Sequence, residues 1–261
     1  MQHNAIAFTT PPEAPRWQRW LLFSPLARIV IFALMMIGFT FATGALVHVL
    51  GLSAKNAPAI TQAVAQLLVR AVPALIAYLL LVRLIERRTV DELAPRKLLR
   101  DGAVGLAAGL LLFSAVVGVL YLLGSYHVIG TRPDAPWLPA LLVGGLGAGI
   151  GEEIIARGVL FRITEEGLGT WGALVVSALF FGLAHSANPG ATVWSSAAIA
   201  IEAGLLFGLL YHVTHSLYVC MGLHAAWNFT QGTVYGIPVS GMPADGWLIS
   251  TRSGPDWLSG G

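Results

Sequence analysis

Long apolar runs recur along most of the chain, and residues 29–54 form the first of them without a single Asp, Glu, Lys or Arg. About 20 apolar residues are enough to cross the hydrocarbon core of a bilayer as a helix. The chain of 261 residues is 56% hydrophobic and only 11% charged, whereas a soluble domain carries about 25% charged residues. We therefore expect an all-α fold, a polytopic bundle of about seven or eight transmembrane helices.

The apolar runs divide the chain into seven predicted spans and two tails. Residues 1–20 are polar and proline-rich, and we interpret them as a cytoplasmic tail, because the run that follows is too long for a signal peptide. The membrane domain comprises residues 21–241, and residues 242–261 form a Gly-, Pro- and Ser-rich, loosely ordered C-terminal tail. An eighth, re-entrant or interfacial segment around Trp247 is the alternative. The predicted spans are residues 29–54, 60–85, 102–124, 137–161, 171–186, 193–212 and 217–235.

Positive charge sets the expected orientation of these spans. Residues 84–101 are the most charged segment and include five Arg or Lys side chains. By the positive-inside rule this loop is cytoplasmic, which agrees with a cytoplasmic amino terminus and two preceding spans. We predict a multi-pass protein of the cell membrane. The net charge of +2 is small and its basic residues are localised, so no nucleic-acid partner is expected.

Two adjacent glutamates, Glu152 and Glu153, interrupt the fourth apolar run. Carboxylates at membrane depth are costly to insert, so they usually face a bundle interior or a water-filled cavity and mark functional sites. On a helix, Glu153 and Arg157 are four residues apart and can pair, while Glu152 points elsewhere. We therefore predict that Glu153 and Arg157 form a supporting ion pair and that Glu152 is free for chemistry.

Two further pairs of residues repeat at helical spacing. Phe181 and His185 lie four residues apart in the fifth span, and His224 and Asn228 do so in the seventh, so each pair shares one helix face. Glu152 and these polar residues can converge if the three helices bundle. The predicted site thus lies between helices 4, 5 and 7.

Hydrolysis is the chemistry that such a cluster suits. A carboxylate can take a proton from water while a histidine shares or orients that water. An imidazole N–H and an asparagine amide can donate hydrogen bonds to the developing oxyanion, each worth about 3 kcal/mol. Neither a serine nor a cysteine nucleophile is needed, and Cys220, in an apolar run, is expected to be a core residue.

The three motifs also resemble those of a known family. In chain order they are Glu152-Glu153-x-x-x-Arg157, Phe181-x-x-x-His185 and His224-x-x-x-Asn228. They resemble the motifs of the CPBP family, also called Abi or CAAX-protease-like proteins, which includes type II CAAX prenyl endopeptidases and bacteriocin self-immunity proteins. The resemblance covers residues 84–241.

This resemblance implies an intramembrane glutamic endopeptidase. Glu152 would activate water together with His185, while His224 and Asn228 would bind the oxyanion. Glu153 and Arg157 would orient the site. A membrane-associated protein or peptide in the lipid bilayer would be the substrate, but family membership does not identify it.

Two other functions remain open from the residues alone. Two histidines and two acids could bind zinc, but the chain has no HExxH motif and its histidines come from different helices, so we expect no metal and no cofactor. A non-catalytic scaffold, immunity or transport component is the other alternative. Internal repeats would favour a transporter, and we find none.

Three further features predict how the helices pack and where two charged residues lie. Gly145 and Gly149, and likewise Gly147 and Gly151, have the GxxxG spacing that allows close helix approach. Arg70, in the second span, is expected to face other helices or to snorkel toward an interface. Glu202, in the middle of the sixth span, is expected to partner either the site or Arg70.

Overall fold

A computed structural model describes residues 7–255 and residue 257, which form helices, the loops between them and one two-stranded sheet. The chain contains ten α-helices within that part, several of them continued by π-helical segments. The α-helices are α1 Arg16–Leu21, α2 Pro25–Val49, α3 Ala59–Leu80, α4 Leu98–Leu122, α5 Trp137–Ala140, α6 Ala148–Glu153, α7 Arg162–His185, α8 Val193–Ile199, α9 Leu206–Thr214 and α10 Leu217–Phe229. The π segments are Leu81–Ile85, Leu141–Gly147, Ile154–Phe161, Ala200–Leu205 and Thr230–Val234, and short 3₁₀ turns lie at Asp91–Leu93 and Pro95–Lys97.

Five helical stretches are long and apolar enough to cross a membrane. They confirm a helical, multi-pass membrane architecture, whereas a count of seven or eight spans stays a prediction. One stretch runs for 49 residues and covers both the fourth and the fifth predicted spans, with a break in helical geometry at Gly169 (φ 69°, ψ 176°). The five stretches are Pro25–Val49, Ala59–Ile85, Pro95–Leu122, Trp137–His185 and Val193–Thr214.

Helix α10, which lies in the seventh predicted span, runs through the interior, and nine of its 13 residues are buried. Glycines on its neighbours allow this close approach. A Cβ added at Gly105 of α4 would lie 2.2 Å from the carbonyl oxygen of Val219, and one at Gly149 of α6 would lie 2.9 Å from that of Met221. Helix α10 is therefore held at backbone contact distance between α4 and α6.

The two predicted GxxxG pairs contact different helices. Gly145 and Gly149 face α10, whereas Gly147 and Gly151 face α3 at Arg70. A Cβ at Gly147 would lie 3.2 Å from Cδ of Arg70, and one at Gly151 would lie 3.0 Å from its carbonyl oxygen. The expected close packing is confirmed. Arg70 faces other helices, which is one of the two placements expected for it.

A short antiparallel sheet joins the loop after α4 to the C-terminal part of the chain. Strand β1, Tyr126–Thr131, pairs with β2, Leu248–Arg252, with an irregularity between Val128 and Gly130. The structure thus differs from the loosely ordered tail expected here, because two extended segments satisfy each other's backbone hydrogen-bonding groups. Trp247 precedes β2 directly and donates its backbone N–H to the carbonyl oxygen of Thr233 at 2.7 Å, and Trp247 itself is not helical.

Six charged side chains form a buried ion network at the ends of α2, α3 and α7. Glu86 is central, since its Oε1 accepts hydrogen bonds from Arg28 and Arg162 at 2.8 Å each. Its Oε2 accepts one from Arg88 at 2.9 Å, and Arg88 also pairs with Glu92 at 2.7 Å. Three positive and three negative groups balance, as buried charges require. The members are Arg28, Glu86, Arg88, Glu92, Arg162 and Glu166.

Candidate active site

Glu152 and Glu153 occupy the last two positions of α6, a short α-helix between two π segments. The segment Leu141–Gly147 precedes α6 and the segment Ile154–Phe161 follows it. A π segment shifts the helical register, and such segments occur frequently at functional sites. The two carboxylates thus sit where the helix geometry changes on both sides.

The carboxylate of Glu152 lies beside two imidazoles. Its Oε2 is 3.5 Å from Nε2 of His185, at the end of α7, and 3.9 Å from Nε2 of His224, on α10. The Glu152 side chain is 33% exposed, but Oε2 itself is buried and has no hydrogen-bond partner within the described residues. Such an atom calls for an explanation, and a catalytic role or a bound water would supply one; Oε2 of Glu153 is likewise buried without a hydrogen-bond partner in the described chain.

Both histidines are anchored through Nδ1. Nδ1 of His185 lies 2.7 Å from the carbonyl oxygen of Phe181, and Nδ1 of His224 lies 2.8 Å from Oε1 of Glu153. A carbonyl and a carboxylate can only accept hydrogen bonds, so each Nδ1 must carry the hydrogen. Each Nε2 consequently faces Glu152 and, in a neutral imidazole, presents a lone pair to it.

The predicted pairing of Glu153 with Arg157 is present and extends further than expected. Oε1 of Glu153 accepts a hydrogen bond from Arg157 at 3.0 Å, and both side chains are fully buried. The other Nη group of Arg157 donates to the carbonyl oxygens of Ala203 at 3.0 Å and Gly204 at 3.2 Å. Backbone carbonyls of the π segment Ala200–Leu205 therefore position Arg157. Arg157 in turn positions Glu153, and Glu153 positions His224.

Two aromatic rings complete the support of this cluster. The Phe181 ring centroid lies 4.5 Å from the Arg157 guanidinium and 4.7 Å from the His185 ring. Phe207 of α9 lies 5.2 Å from the same guanidinium and 5.2 Å from the His224 ring. Phe207 was not predicted, because an isolated phenylalanine in an apolar helix gives no sequence signal.

Asn228 lies one turn after His224 on α10. Its amide nitrogen donates a hydrogen bond to the carbonyl oxygen of Gly144, at 2.9 Å. Gly144 belongs to the π segment that leads into α6, so this bond links the helix of His224 to the helix of Glu152. Sequence spacing gave the helical face of Asn228 but not its carbonyl partner.

Arg70 and Glu202 are placed differently from each other. Arg70 packs on Gly147 and Gly151 of the helical stretch that carries Glu152. The Glu202 side chain is exposed, and within the described chain its carboxylate has neither a hydrogen bond nor an ion pair. Glu202 therefore partners neither the site nor Arg70. The groups that face Arg157 are the backbone carbonyls of the two residues after Glu202, and the Glu202 side chain does not face it.

Within residues 7–255 and residue 257, no group of three or more His, Cys, Asp or Glu side chains is arranged to hold a metal ion. The cluster at Glu152 consists of one carboxylate and two imidazoles, with the Glu153–Arg157 ion pair behind them. It lies in one continuous part of the sequence, from the end of α6 to α10.

Residues 134–230 match the family model described as Rce1-like, type II CAAX prenyl endopeptidase Rce1-like. The matched region contains all seven residues of the three motifs, and it is shorter than the expected 84–241. No curated protein matches the chain. No solved structure matches it either. The resemblance of the chain to the CPBP family is thus confirmed by its match, over residues 134–230, to the Rce1-like model of type II CAAX prenyl endopeptidases.

Proposed function

We propose that the protein is an intramembrane endopeptidase that hydrolyses a peptide bond with water activated by Glu152 and His185. The family match supports a membrane protease of the CPBP kind. The observation that carries the residue assignment is the position of Glu152 Oε2, 3.5 Å and 3.9 Å from the Nε2 atoms of two anchored histidines.

The arrangement of Glu152 Oε2 and the two histidine Nε2 atoms favours the activation of a water molecule. A carboxylate oxygen and a neutral imidazole Nε2 are both acceptors, so a donor placed between them satisfies both. A water that donates one hydrogen to Glu152 and the other to His185 satisfies both groups. Its own lone pairs then point away from them and can attack a carbonyl carbon.

In the proposed reaction one proton is transferred twice, first to Glu152 and then to the leaving group. As the water oxygen bonds to the carbonyl carbon, its proton passes to Glu152 and the carbonyl becomes an oxyanion. When the C–N bond breaks, the proton moves from Glu152 to the leaving nitrogen. The products are a carboxylic acid terminus and an amine terminus.

Oxyanion stabilisation is assigned to His224 and Asn228. Because Nδ1 of His224 already donates to Glu153, its Nε2 can donate only when the ring carries both hydrogens. The doubly protonated ring would keep the 2.8 Å contact of Nδ1 with Glu153 and donate from Nε2 to the oxyanion. The Asn228 amide nitrogen supplies a second donor, because one of its two hydrogens donates to Gly144 and the other is available to the oxyanion.

A membrane-associated protein or peptide is the proposed substrate class. The Glu152 side chain belongs to a helical stretch that is long and apolar enough to span the bilayer, so the scissile bond has to come to a site at membrane depth. Nothing in this chemistry requires a prenyl group, and we therefore propose cleavage without specifying a lipid modification.

The decisive experiment compares membrane proteomes from cells that carry the wild-type protein and cells that carry Glu152→Gln. New peptide termini are expected only with the wild type, and one of them then supplies a reporter peptide. On that reporter, Glu152→Gln should lower kcat by about 100-fold or more. Cleavage at the wild-type rate by a folded Glu152→Gln variant would refute the assignment.

Glu202→Gln is the matched control for this substitution. It removes a carboxylate from another helical stretch that is long and apolar enough to span the bilayer, and this carboxylate is exposed and has no partner in the described chain. We expect Glu202→Gln to cleave the reporter at the wild-type rate. A loss of activity in Glu152→Gln would then result from the position of that carboxylate, and not from the removal of a carboxylate as such.

Zinc dependence is tested on the same reporter. The proposed chemistry uses only side chains and water, so exhaustive chelation should leave the rate unchanged. Activity that disappears after chelation and returns only with added zinc would favour the metalloprotease alternative.

A further inference from the structure

A cavity of about 840 Å³ lies beside the ion network, between α3, the connection over residues 86–95, and α10. Its inner wall is apolar. Leu75 and Leu79 line it from α3, Ile150 from α6, Met221 from α10 and Leu93 from the connecting loop. None of the residues assigned to hydrolysis lines it, so it is separate from the Glu152 cluster.

The rim of this cavity is basic. Arg83, Arg87 and Arg88 line it, and Asp91 is its one acidic lining residue. Arg88 is neutralised within the ion network, and Asp91 accepts a hydrogen bond from Thr89 at 3.0 Å. Arg83 and Arg87 are exposed, and neither has a hydrogen-bond or ion-pair partner in the described chain. Two guanidinium groups are thus available at the mouth.

The backbone at Arg87 is strained. Its φ of 53° lies in the left-handed region, which is unfavourable for a residue with a Cβ. Left-handed residues other than glycine persist where the surroundings hold them, often at ligand sites. Here the unusual conformation belongs to a side chain that lines the rim.

We propose that this cavity binds an anionic phospholipid from the bilayer leaflet next to the rim. One acyl chain enters between Leu75, Leu79 and Met221, and the phosphate pairs with Arg83 and Arg87. Guanidinium groups match phosphate oxygens in shape and charge, and basic pockets between membrane helices bind anionic headgroups. The volume lies within the range of about 300–1,000 Å³ for small-molecule sites.

Such a lipid would contact the helices that carry the active site. Ile150 is two residues before Glu152, and Met221 is three residues before His224. The proposal does not depend on hydrolysis, however, because the cavity is lined by other residues and its occupancy is measured without any substrate.

The test is native mass spectrometry of the full chain in detergent, with phosphatidylglycerol and phosphatidylcholine of identical acyl chains. Wild-type protein should retain phosphatidylglycerol at least about tenfold more tightly, the ratio that one charge-assisted contact supplies. The double variant Arg83→Ala/Arg87→Gly should lose this preference. Arg96→Ala, which removes an exposed cation of the same loop outside the cavity, should keep it.

Two further measurements separate lipid binding from folding and from simple phosphate attraction. Glycine tolerates the backbone of residue 87, so Arg87→Gly should unfold at the same temperature as the wild type or higher. Leu79→Trp should reduce lipid retention by filling the cavity while both arginines remain. Equal retention of the two lipids by the wild type, an unchanged preference in the double variant, or displacement by an equal concentration of inorganic phosphate would overturn the proposal.

Discussion

Glu152 and Glu153 are adjacent in the sequence, and the helix gives them different surroundings. Oε1 of Glu153 contacts both Arg157 and His224. Oε2 of Glu152 lies between two Nε2 atoms without a hydrogen bond in the described chain. One carboxylate is therefore committed to structure, and the other is available to a water molecule.

Glu153→Gln should therefore lower stability as well as activity. The substitution leaves the fully buried Arg157 without its counter-charge, and breaking a buried pair on one side costs about 3–5 kcal/mol. Thermal unfolding in detergent should show a clear fall for Glu153→Gln and little change for Glu152→Gln. A Glu153→Gln variant that unfolds at the wild-type temperature would contradict this division of roles.

Asn228→Ala should act on kcat more than on KM. The amide is proposed to donate to the oxyanion, and removal of one such donor costs about 100-fold to 1,000-fold in kcat. Steady-state kinetics on the reporter peptide measures both constants. A change confined to KM would show that Asn228 serves only its hydrogen bond to Gly144.

At the level of elements, glycines determine where α10 lies. The backbone of α10 approaches Gly105 and Gly109 of α4 so closely that an added Cβ would lie 2.2 Å and 2.4 Å from its carbonyl oxygens. Since His224 is on α10, this crossing fixes the distance from His224 to the carboxylates of α6.

Gly105→Ala should consequently disrupt the α4–α10 crossing. The new methyl group would overlap the Val219 carbonyl, and overpacking of this kind costs about 1–3 kcal/mol or more. Gly118→Ala on the same helix is the control, since a Cβ there meets nothing within 4 Å. Thermal unfolding should show a fall for the first variant and no fall for the second, and the opposite order would refute glycine-mediated packing.

For the whole molecule, the ion network makes stability depend on pH. Burial alone would raise the pKa of Glu86, but Arg162, Arg88 and Arg28 outweigh it and lower the pKa below its ordinary 4.5. The pKa of Glu92 is also lowered, because its hydrogen bond with Arg88 outweighs burial. A carboxyl whose pKa is lowered on folding stabilises the fold above its unfolded pKa, and this contribution is lost as pH falls through the folded pKa.

We therefore expect the unfolding temperature to fall as pH is lowered below about 4.5, where more than half of the unfolded carboxyls are protonated. Glu86→Gln should be less stable near neutral pH and should show a shallower fall in acid. Glu13→Gln, at an exposed position, should follow the wild-type curve. Identical pH curves for Glu86→Gln and the wild type would mean that the network does not contribute.

Sequence periodicity gave the motif positions more reliably than the element boundaries. The spacing of Glu153 and Arg157 correctly indicated their ion pair, because a four-residue interval fixes proximity within one helix. Spacing could not show that α6 is only six residues long between two π segments, since π hydrogen bonding leaves no clear residue pattern. It also missed the pairing of β1 with β2, which joins segments over 115 residues apart.

The amino-acid sequence by itself determined the helical membrane class and the small set of polar residues inside apolar runs, because both follow from composition and from local spacing along a helix. Only the tertiary structure decided which nitrogen of each histidine faces Glu152, that Glu153 also holds His224, and that Glu202 stands apart. Those outcomes depend on distances between separate helices. Such distances cannot be read from the spacing of residues along the sequence, whereas neighbours within one helix can.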